Sequence, residues 1–242
     1  MPECFSGSSE SILNNQRFAV PFKILSGLSQ NDISYDSNHV AIAMGGPGSE
    51  GIVRALIKQN QKILPVCSPI VKDPARHPVL IIPQAIDSGI FNNCIDRLRE
   101  YVAKGGAVML VHDTLGYRGF KPAFPEIGQG VETVKTNTAT IAMNHVISMG
   151  MNIGDSFRHA YCDHVILKKG QDGAVICADQ QGRPVLIAGG FGKGRVILNG
   201  MATGYSSRDG SYNGEEKEPE GAELQLLINS LKWLEKDGSS CK

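Results

Sequence analysis

The stretch GGAVMLVHDTLG, residues 105–116, decides the fold class of this chain. Its two leading glycines are typical of a helix end, five apolar residues follow, and a polar turn of His112, Asp113 and Thr114 comes directly after them. A buried strand that ends in a polar turn is typical of an open parallel sheet, in which ligands bind at the carboxyl ends of the strands. A serine or cysteine on such a turn is usually a nucleophile, and this turn has neither. We therefore expect a site at this turn that lacks its usual nucleophile.

The rest of the chain predicts an α/β domain. Strands are expected at 40–44, 63–67, 79–83, 107–111, 161–167, 174–178, 184–188 and 195–199, and helices from Ser49, over 87–104 and over 224–234. The first six elements follow a β-α-β-β-α-β order, which predicts a parallel sheet between helices, with right-handed crossovers. The later strands make the C-terminal half β-rich. We expect one domain over residues 39–238, preceded by an N-terminal arm or extension at 1–38.

Two loops flank the expected site. The segment 117–130 is rich in Gly, Pro and aromatic residues and begins directly after the polar turn, so we expect a lid or pocket wall there. The polar loop 200–221 follows a strand that should end near the same place. Its acidic run at 215–220 is more typical of a solvated surface loop than of a site.

The composition excludes several classes of partner. The 242 residues carry 24 Lys and Arg against 24 Asp and Glu, so no charge excess favours nucleic acid or an anionic membrane. No apolar run approaches the roughly 20 residues that span a bilayer, and residues 1–10 lack the pattern of a signal peptide, so we expect a cytoplasmic protein. Six cysteines without a Cys-x-x-Cys pair favour reduced thiols. We expect a small-molecule ligand and no cofactor, and the composition leaves homo-oligomer formation open.

Four segments, at 40–48, 101–112, 144–151 and 192–198, together resemble a known superfamily. They read VAIAMGGPG, YVAKGGAVMLVH, NHVISMGM and GKGRVIL. In this order they resemble the class I glutamine amidotransferase-like superfamily, and within it the branches that are not amidotransferases. Those branches are the trehalose-utilization (ThuA-like) proteins, the amidotransferase-like domain associated with biotin-protein ligase, and the corresponding domain of some β-galactosidases. The resemblance implies a flavodoxin-like three-layer sandwich with a mostly parallel central sheet.

Departures from the family pattern bear on the activity. An active amidotransferase of this class has the turn Gly-x-Cys-x-Gly, and superposition on residues 112–116 places Thr114 where the cysteine would stand. Residues 199–203, NGMAT, replace the late His-x-Glu, and residues 83–85, PQA, replace the Pro-Gly-Gly segment of the oxyanion site. A threonine hydroxyl without a neighbouring base is a poor nucleophile, so we expect no glutamine hydrolysis. The resemblance implies instead that the chain binds or processes a small polar, carbohydrate-like ligand, with hydrolase-like activity left open. The alternative is a non-catalytic assembly or interaction module with a degenerate site.

The candidate site residues follow from the ends of the predicted strands. His112, Asp113 and Thr114 are the candidate catalytic residues, although Asp113 and Thr114 would equally serve to brace the following loop. The amides of the glycine loop after the first strand lie before a helix and could hold an anion, or could simply form a turn. The candidate ligand-binding residues are Gly45, Gly46, Gly48, Gln84, Gly116, Tyr117 and His145.

One group of residues has the composition of half a zinc site. Cys162 and His164 would share one face of a strand, and His159 lies close by in the sequence. No second pair of ligands has matching spacing, so we predict no metal, with these three residues as weak candidates. Asp163 projects to the other face, where members of the resembling family often have an acidic residue.

Overall fold

The computed structural model describes residues 39–66, 78–84, 87–207 and 214–235. The arm expected at 1–38 lies outside these ranges, as do residues 208–213 of the polar loop. The helices are α1 (Ser49–Lys58), α2 (Ser88–Ala103) and α3 (Gly221–Glu235). The strands are β1 (Val40–Ala43), β2 (Ile63–Val66), β3 (Val79–Ile82), β4 (Ala107–Val111), β5 (Gly128–Val134), β6 (Thr138–Ile141), β7 (Ser156–Arg158), β8 (His164–Lys169), β9 (Ala174–Ala178), β10 (Pro184–Phe191), β11 (Gly194–Asn199), β12 (Tyr205–Ser206) and β13 (Glu215–Glu216).

The chain forms an α/β structure around a mixed nine-stranded sheet. The strand order is β2-β1-β3-β4-β11-β10-β9-β6-β7. The four pairings among the first five strands, from β2 to β11, are parallel, and every pairing from β11–β10 onwards is antiparallel. The expected parallel character therefore holds for one half of the sheet only. The short connections of the C-terminal half cause the difference, because a tight turn joins antiparallel strands whereas parallel strands need a long crossover.

Both faces of the sheet are covered. Along β4, Met109 and Val111 belong to one hydrophobic cluster with α1 and α3, while Val108 and Leu110 belong to a second cluster with α2. The alternation follows from the strand geometry, in which successive side chains point to opposite faces. The antiparallel pair β5–β8 joins the second cluster. The central strands are apolar throughout because both of their faces are buried.

The segment 117–130 is an anchored part of the core and not a free lid. Phe120, Phe124 and Ile127 are buried in the cluster that includes α2. The guanidinium of Arg99, on α2, binds the carbonyl oxygen of Ala123 at 2.6 Å and the carboxylate of Glu126, and it lies 4.5 Å from the centre of the Phe191 ring. The aromatic residues that suggested a lid instead pack beneath the turn and hold it in place.

Two further sequence expectations need correction. Strands β5, β6 and β7 were not expected, because glycines and polar residues interrupt their apolar pattern. The loop expected to be solvated begins with a buried stretch over 201–205, which the short ribbon β12–β13 then holds.

Within the described ranges, no helix is long and apolar enough to cross a bilayer. Cys177 is a buried, free thiol, and the reduced state of the other cysteines stays a prediction.

A glycine in α1 provides a direct test of how this helix packs. Alanine normally stabilises a helix interior by about 1 kcal/mol relative to glycine. At Gly51, however, a Cβ atom would lie 2.1 Å from the carbonyl oxygen of Gly204 and 2.5 Å from that of Lys217. We expect Gly51→Ala to lower the free energy of unfolding by about 1 to 3 kcal/mol, the usual effect of overpacking, as measured by urea denaturation. Gly190→Ala is the control, because its Cβ would meet no atom closer than 3.9 Å. Equal stability of Gly51→Ala and the parent would contradict this packing.

Candidate functional site

The backbone turns sharply at His112. Strand β4 ends at Val111, and φ is +54° at His112, the first residue of a 3₁₀ turn over His112–Leu115. A positive φ is uncommon for a residue with a side chain and indicates that the surroundings hold it there. In nucleophile-elbow enzymes the residue on such a strained strand-to-helix turn is the nucleophile. The residue with the positive φ here is His112, two residues before Thr114, and the superposition of Thr114 on the cysteine stays a prediction.

Thr114 braces the turn. Its hydroxyl donates to the carbonyl oxygen of Val111 at 2.8 Å and accepts from the Val111 N–H at 3.0 Å, and the side chain is fully buried. These two bonds engage the hydroxyl as donor and as acceptor. This arrangement contradicts the catalytic role predicted for Thr114 and agrees with the bracing alternative.

Two carboxylates hold the imidazole of His112. Its Nε2 lies 3.1 Å from Oδ1 of Asp163, and its Nδ1 lies 3.1 Å from Oδ1 of Asp113. The first contact is a hydrogen bond, whereas the second is a close charge contact whose direction is not that of a hydrogen bond. The ring is fully buried and packs edge-on against Tyr161, with 5.6 Å between the ring centres.

The two carboxylates favour the charged form of the histidine. Burial alone would lower the pKa of His112, but the close carboxylate of Asp113 and the hydrogen bond and charge of Asp163 together outweigh burial and raise it. Both nitrogens of an imidazolium carry protons, so both are donors. An imidazolium has no lone pair with which to take up a proton, so this environment arranges His112 as a donor and not as a general base.

Other strand ends supply further polar groups to the same place. Gln84 follows β3, and its Nε2 donates to Oδ2 of Asp113 at 3.1 Å. Strands β3 and β4 are parallel neighbours, so they end at the same edge of the sheet. Arg118 lies 3.8 Å from Oδ2 of Asp113, and its side chain is 42% exposed, so the cluster reaches solvent on this side. The structure thus brings together three of the predicted site residues, His112, Asp113 and Gln84.

Two adjacent polar atoms of this cluster have no hydrogen-bond partner among the described residues. They are Nδ1 of His112 and Oδ1 of Asp113, and both are buried. Buried polar atoms are nearly always hydrogen-bonded, so an exception in a native structure needs an explanation. One atom is a donor and the other an acceptor, and 3.1 Å separates them. A single hydroxyl group could accept from the first and donate to the second.

The predicted anion at the glycine loop is supplied by the chain itself. The N–H groups of Gly48 and Gly51 donate to the two carboxylate oxygens of Glu216, at 2.7 and 2.9 Å. Backbone amides and the helix dipole favour an anion at the start of α1, and Glu216 takes that position. Gly48 therefore has a structural partner, contrary to its predicted ligand role. The ligand role of the exposed Gly45 and the half-buried Gly46 stays a prediction.

Gly116 and Tyr117 follow the turn directly. Gly116 has φ +99°, and a Cβ there would lie 3.0 Å from Pro122, so the backbone itself requires glycine. The half-buried Tyr117 lies 5.3 Å below the guanidinium of Arg118, and its hydroxyl is 3.3 Å from that of Thr133. Tyr117 is thus placed beside the solvent-facing side of the cluster, and its contact with a ligand stays a prediction.

His145 lies at a different place in the fold. Its ring packs against Trp233 of α3, and its Nδ1 accepts from the Ile147 N–H at 3.2 Å. Burial, together with the nearby Arg195, lowers the pKa of His145. Arg195 pairs with Ala107, the first residue of β4, whereas His112 follows the last residue of that strand. His145 therefore lies near the other end of β4 from His112, and its predicted ligand role stays a prediction.

The three weak metal candidates do not act together. Nε2 of His159 lies 3.2 Å from Nδ1 of His164, whereas Cys162 packs with Tyr161, Ala202 and Tyr205. Burial lowers the pKa of His159 to about 3 and that of His164 to about 4, so both are neutral at pH 7. In the ranges that the structure describes, no group of three His, Cys, Asp or Glu side chains is arranged to hold a metal ion.

Sequence reasoning missed two members of the cluster and undervalued a third. Asp163 was noted only through the family resemblance, but it holds His112 by a direct hydrogen bond. Tyr161 was expected only as the start of a strand, which begins instead at His164, and Arg118 lies in a loop, so neither was identified as a site residue. Arg118 did have one local signal, since it follows a Gly-Tyr pair directly after the polar turn.

Comparisons with known proteins point to the fold. No protein-family model matches the chain, and no curated protein matches it in sequence. Cytoplasmic protein STM3548 from Salmonella typhimurium has a similar structure, with a TM-score of 0.56 and 15% identity over 79% of this chain and 87% of that one. A β-galactosidase from Rahnella sp. R3 is similar with a TM-score of 0.54 and 12% identity, over 83% of this chain and 32% of the enzyme. PurLQS from Thermotoga maritima is similar with a TM-score of 0.52 and 10% identity, over 82% of this chain and 100% of that one. At such identities the likeness shows the fold alone.

The neutral histidine pair predicts how stability depends on pH. The folded-state pKa values of His159 and His164 lie below the ordinary value of 6.5. Below pH 6.5 the unfolded chain therefore binds protons that the folded pair does not, and the free energy of unfolding falls as the pH drops towards 4. We expect His164→Gln to reduce this loss between pH 6.5 and 4.5, as measured by thermal unfolding. Lys168→Gln, an exposed change on the same strand, is the control. An undiminished pH dependence in His164→Gln would contradict the neutral pair.

Proposed function

We propose that this chain is an amidotransferase-like protein without the Cys-His-Glu triad that binds a small polar, carbohydrate-like ligand. The site lies at the carboxyl ends of β3 and β4, around His112, Asp113 and Gln84, and the domain is a flavodoxin-like three-layer sandwich. The observation that carries the proposal is the buried pair of unpartnered atoms, Nδ1 of His112 and Oδ1 of Asp113.

The chemistry of this pair favours a hydroxyl-bearing ligand. A sugar hydroxyl is both a donor and an acceptor, so it matches an N–H donor beside a carboxylate acceptor. The charges of the cluster support a neutral ligand, because Asp113 and Asp163 stand against the imidazolium of His112 and the guanidinium of Arg118. Binding is favoured over turnover because the charged His112 has no lone pair to serve as a general base.

The structural relatives support the same proposal at the level of the fold. The β-galactosidase from Rahnella sp. R3 is similar to this chain over about a third of its own length, and PurLQS from Thermotoga maritima over all of its length. The name of the first is consistent with a carbohydrate ligand, and both likenesses are consistent with an amidotransferase-like fold. We also propose a cytoplasmic location, since two of the similar structures are of cytoplasmic proteins from Salmonella typhimurium.

Binding of a saccharide to the purified protein tests this function. D-galactose and lactose, within a panel of mono- and disaccharides, should raise the melting temperature of the parent, because a ligand that binds only the folded state stabilises it. Asp113→Asn should weaken binding about tenfold or more, the effect of losing a hydrogen bond to a charged group. Calorimetric titration measures the affinity. Asp172→Asn is the control, as its carboxylate is exposed and distant in sequence from the cluster.

Two outcomes of this experiment would count against the proposal. If no saccharide in the panel binds and Asp113→Asn lowers the melting temperature strongly, the turn is a structural brace. That result would support the alternative, a non-catalytic assembly module with a degenerate site. Equal saccharide affinity of Asp113→Asn and the parent would place the ligand elsewhere.

The same site predicts that the protein releases no ammonia from glutamine. The strained position carries the imidazolium of His112 in place of a thiol, and both roles of the Thr114 hydroxyl are taken by Val111. A coupled assay for ammonia should show the rate of the blank at saturating glutamine. Glutamine turnover that Thr114→Ala abolishes would contradict both the site and the placement of Thr114.

A further inference from the structure

A second buried polar network lies beside the site and ends in a carboxyl group. Asn199, at the end of β11, donates from Nδ2 to the hydroxyl oxygen of Thr203 at 2.9 Å, and its Oδ1 accepts from the Met201 N–H at 3.1 Å. The Thr203 hydroxyl in turn hydrogen-bonds the carboxyl group of Glu223, in the first turn of α3. All three side chains are at most 4% exposed. The network occupies the stretch where the family pattern has its His-x-Glu.

The carboxyl group of Glu223 also holds the segment that carries Asp163. Its Oε2 accepts from the N–H of Ala160 at 3.3 Å. The residues that follow Ala160 pair with the stretch 201–207, through the isolated bridges Tyr161–Ser207 and His164–Met201. Asp163, the hydrogen-bond partner of His112, lies between these two bridges. The segment that carries Asp163 is therefore held at Ala160 by Glu223, through the N–H, and by Ser206, whose hydroxyl donates to the carbonyl oxygen at 3.4 Å.

The hydrogen-bond pattern around Glu223 suits a carboxylate, but its burial does not. Thr203 already accepts from Asn199, so its hydroxyl proton points to the carboxyl group, and Ala160 offers a second donor. A protonated carboxyl could donate to the Thr203 oxygen and still accept from Ala160, but its neutral oxygen is the weaker acceptor. Burial, opposed by these bonds, raises the pKa of Glu223 to about 7. The two forms of the group are thus both accessible near neutral pH.

The charged groups around Glu223 leave both its ionised and its protonated form accessible near neutral pH. Lys217, after β13, lowers the pKa of Glu223, and Glu220, just before α3, raises it. On the segment that packs against it, His159 precedes Ala160 and is kept neutral by burial, with a pKa of about 3. His159 therefore does not titrate near pH 7, whereas His112, the partner of Asp163, has a raised pKa and titrates in the parent and in Glu223 variants alike.

We propose that Glu223 is a positioning residue that fixes the 160–163 segment through Ala160, so that its protonation loosens Asp163 and weakens ligand binding at the His112 cluster. The ligand part of this proposal rests on the proposed function, whereas the effect on the segment does not. The ionised form accepts both donors and holds the segment. The protonated form holds the Ala160 N–H less strongly, because a neutral carboxyl oxygen is a weaker acceptor than a carboxylate oxygen.

Amide hydrogen exchange tests the effect on the segment without any ligand. In the parent, the protection of the Ala160 amide, corrected for the intrinsic exchange rate, should fall by about fivefold or more between pH 8 and pH 6, a usual size for coupling between two sites. Glu223→Gln cannot ionise and should remove this dependence. Glu215→Gln, an exposed change on β13, is the control and should behave as the parent. Equal pH dependence in Glu223→Gln and the parent would overturn the proposal.

Saccharide binding provides the second arm. If D-galactose or lactose binds, the affinity of the parent relative to that of Glu223→Gln should fall by about fivefold between pH 8 and pH 6, a usual coupling, because the titration of His112 is common to both proteins. Glu223→Asp keeps the ionisable group on a shorter side chain and should restore part of the pH dependence, which a purely structural role would not do. A pH-dependent Ala160 amide without any saccharide binding would overturn the proposed function but not the role of Glu223. Saccharide binding with an unaltered pH profile in Glu223→Gln would overturn the role of Glu223 alone.

Discussion

The imidazole of His112 connects two parts of the molecule that have different architecture. It follows β4, a central strand of the parallel half of the sheet, and it binds Asp163, which directly precedes β8 of the separate antiparallel pair. The ring is buried, and the carboxylates on both of its sides favour its charged form by raising its pKa. The strained backbone at His112, the glycine at position 116 and the brace of Thr114 all serve to hold the ring in this one place.

The arrangement explains why the turn differs from that of a nucleophile-elbow enzyme while its geometry is similar. The strained position presents a side chain at the edge of the sheet, as it does for a nucleophile. A histidine between two carboxylates is a fixed donor with an acceptor beside it, which suits recognition of hydroxyl groups. A carboxylate of the chain also occupies the polar position at the glycine loop after β1, where Glu216 accepts from the N–H groups of Gly48 and Gly51. The chain thus uses its own polar side chains at both of these strand ends.

The sequence predicted much of the framework and only part of the site. The strands and helices of residues 40–111 have strong apolar periods and clear ends, so β1 to β4, α1 and α2 were expected close to their observed bounds. Strand β5 was not, because its glycines and polar residues hide the alternation until β8 pairs with it. The site needed contacts between distant residues. Gln84 and Asp113 were expected together because parallel strands end at one edge, whereas the side-by-side placement of Asp163 and His112 depends on how β8 crosses the sheet face, which no local pattern shows.

The charge state of His112 is the central claim, and NMR of its ring nitrogens measures it most directly. Long-range proton–nitrogen correlation on the labelled protein, with His112→Gln used for assignment, gives the pKa of the ring and the protonation of each nitrogen. The account predicts an imidazolium that deprotonates above the ordinary value of 6.5 and an Nδ1 signal that moves when D-galactose is added. A ring that is neutral at pH 6.5, or an Nδ1 signal that no saccharide perturbs, would contradict it.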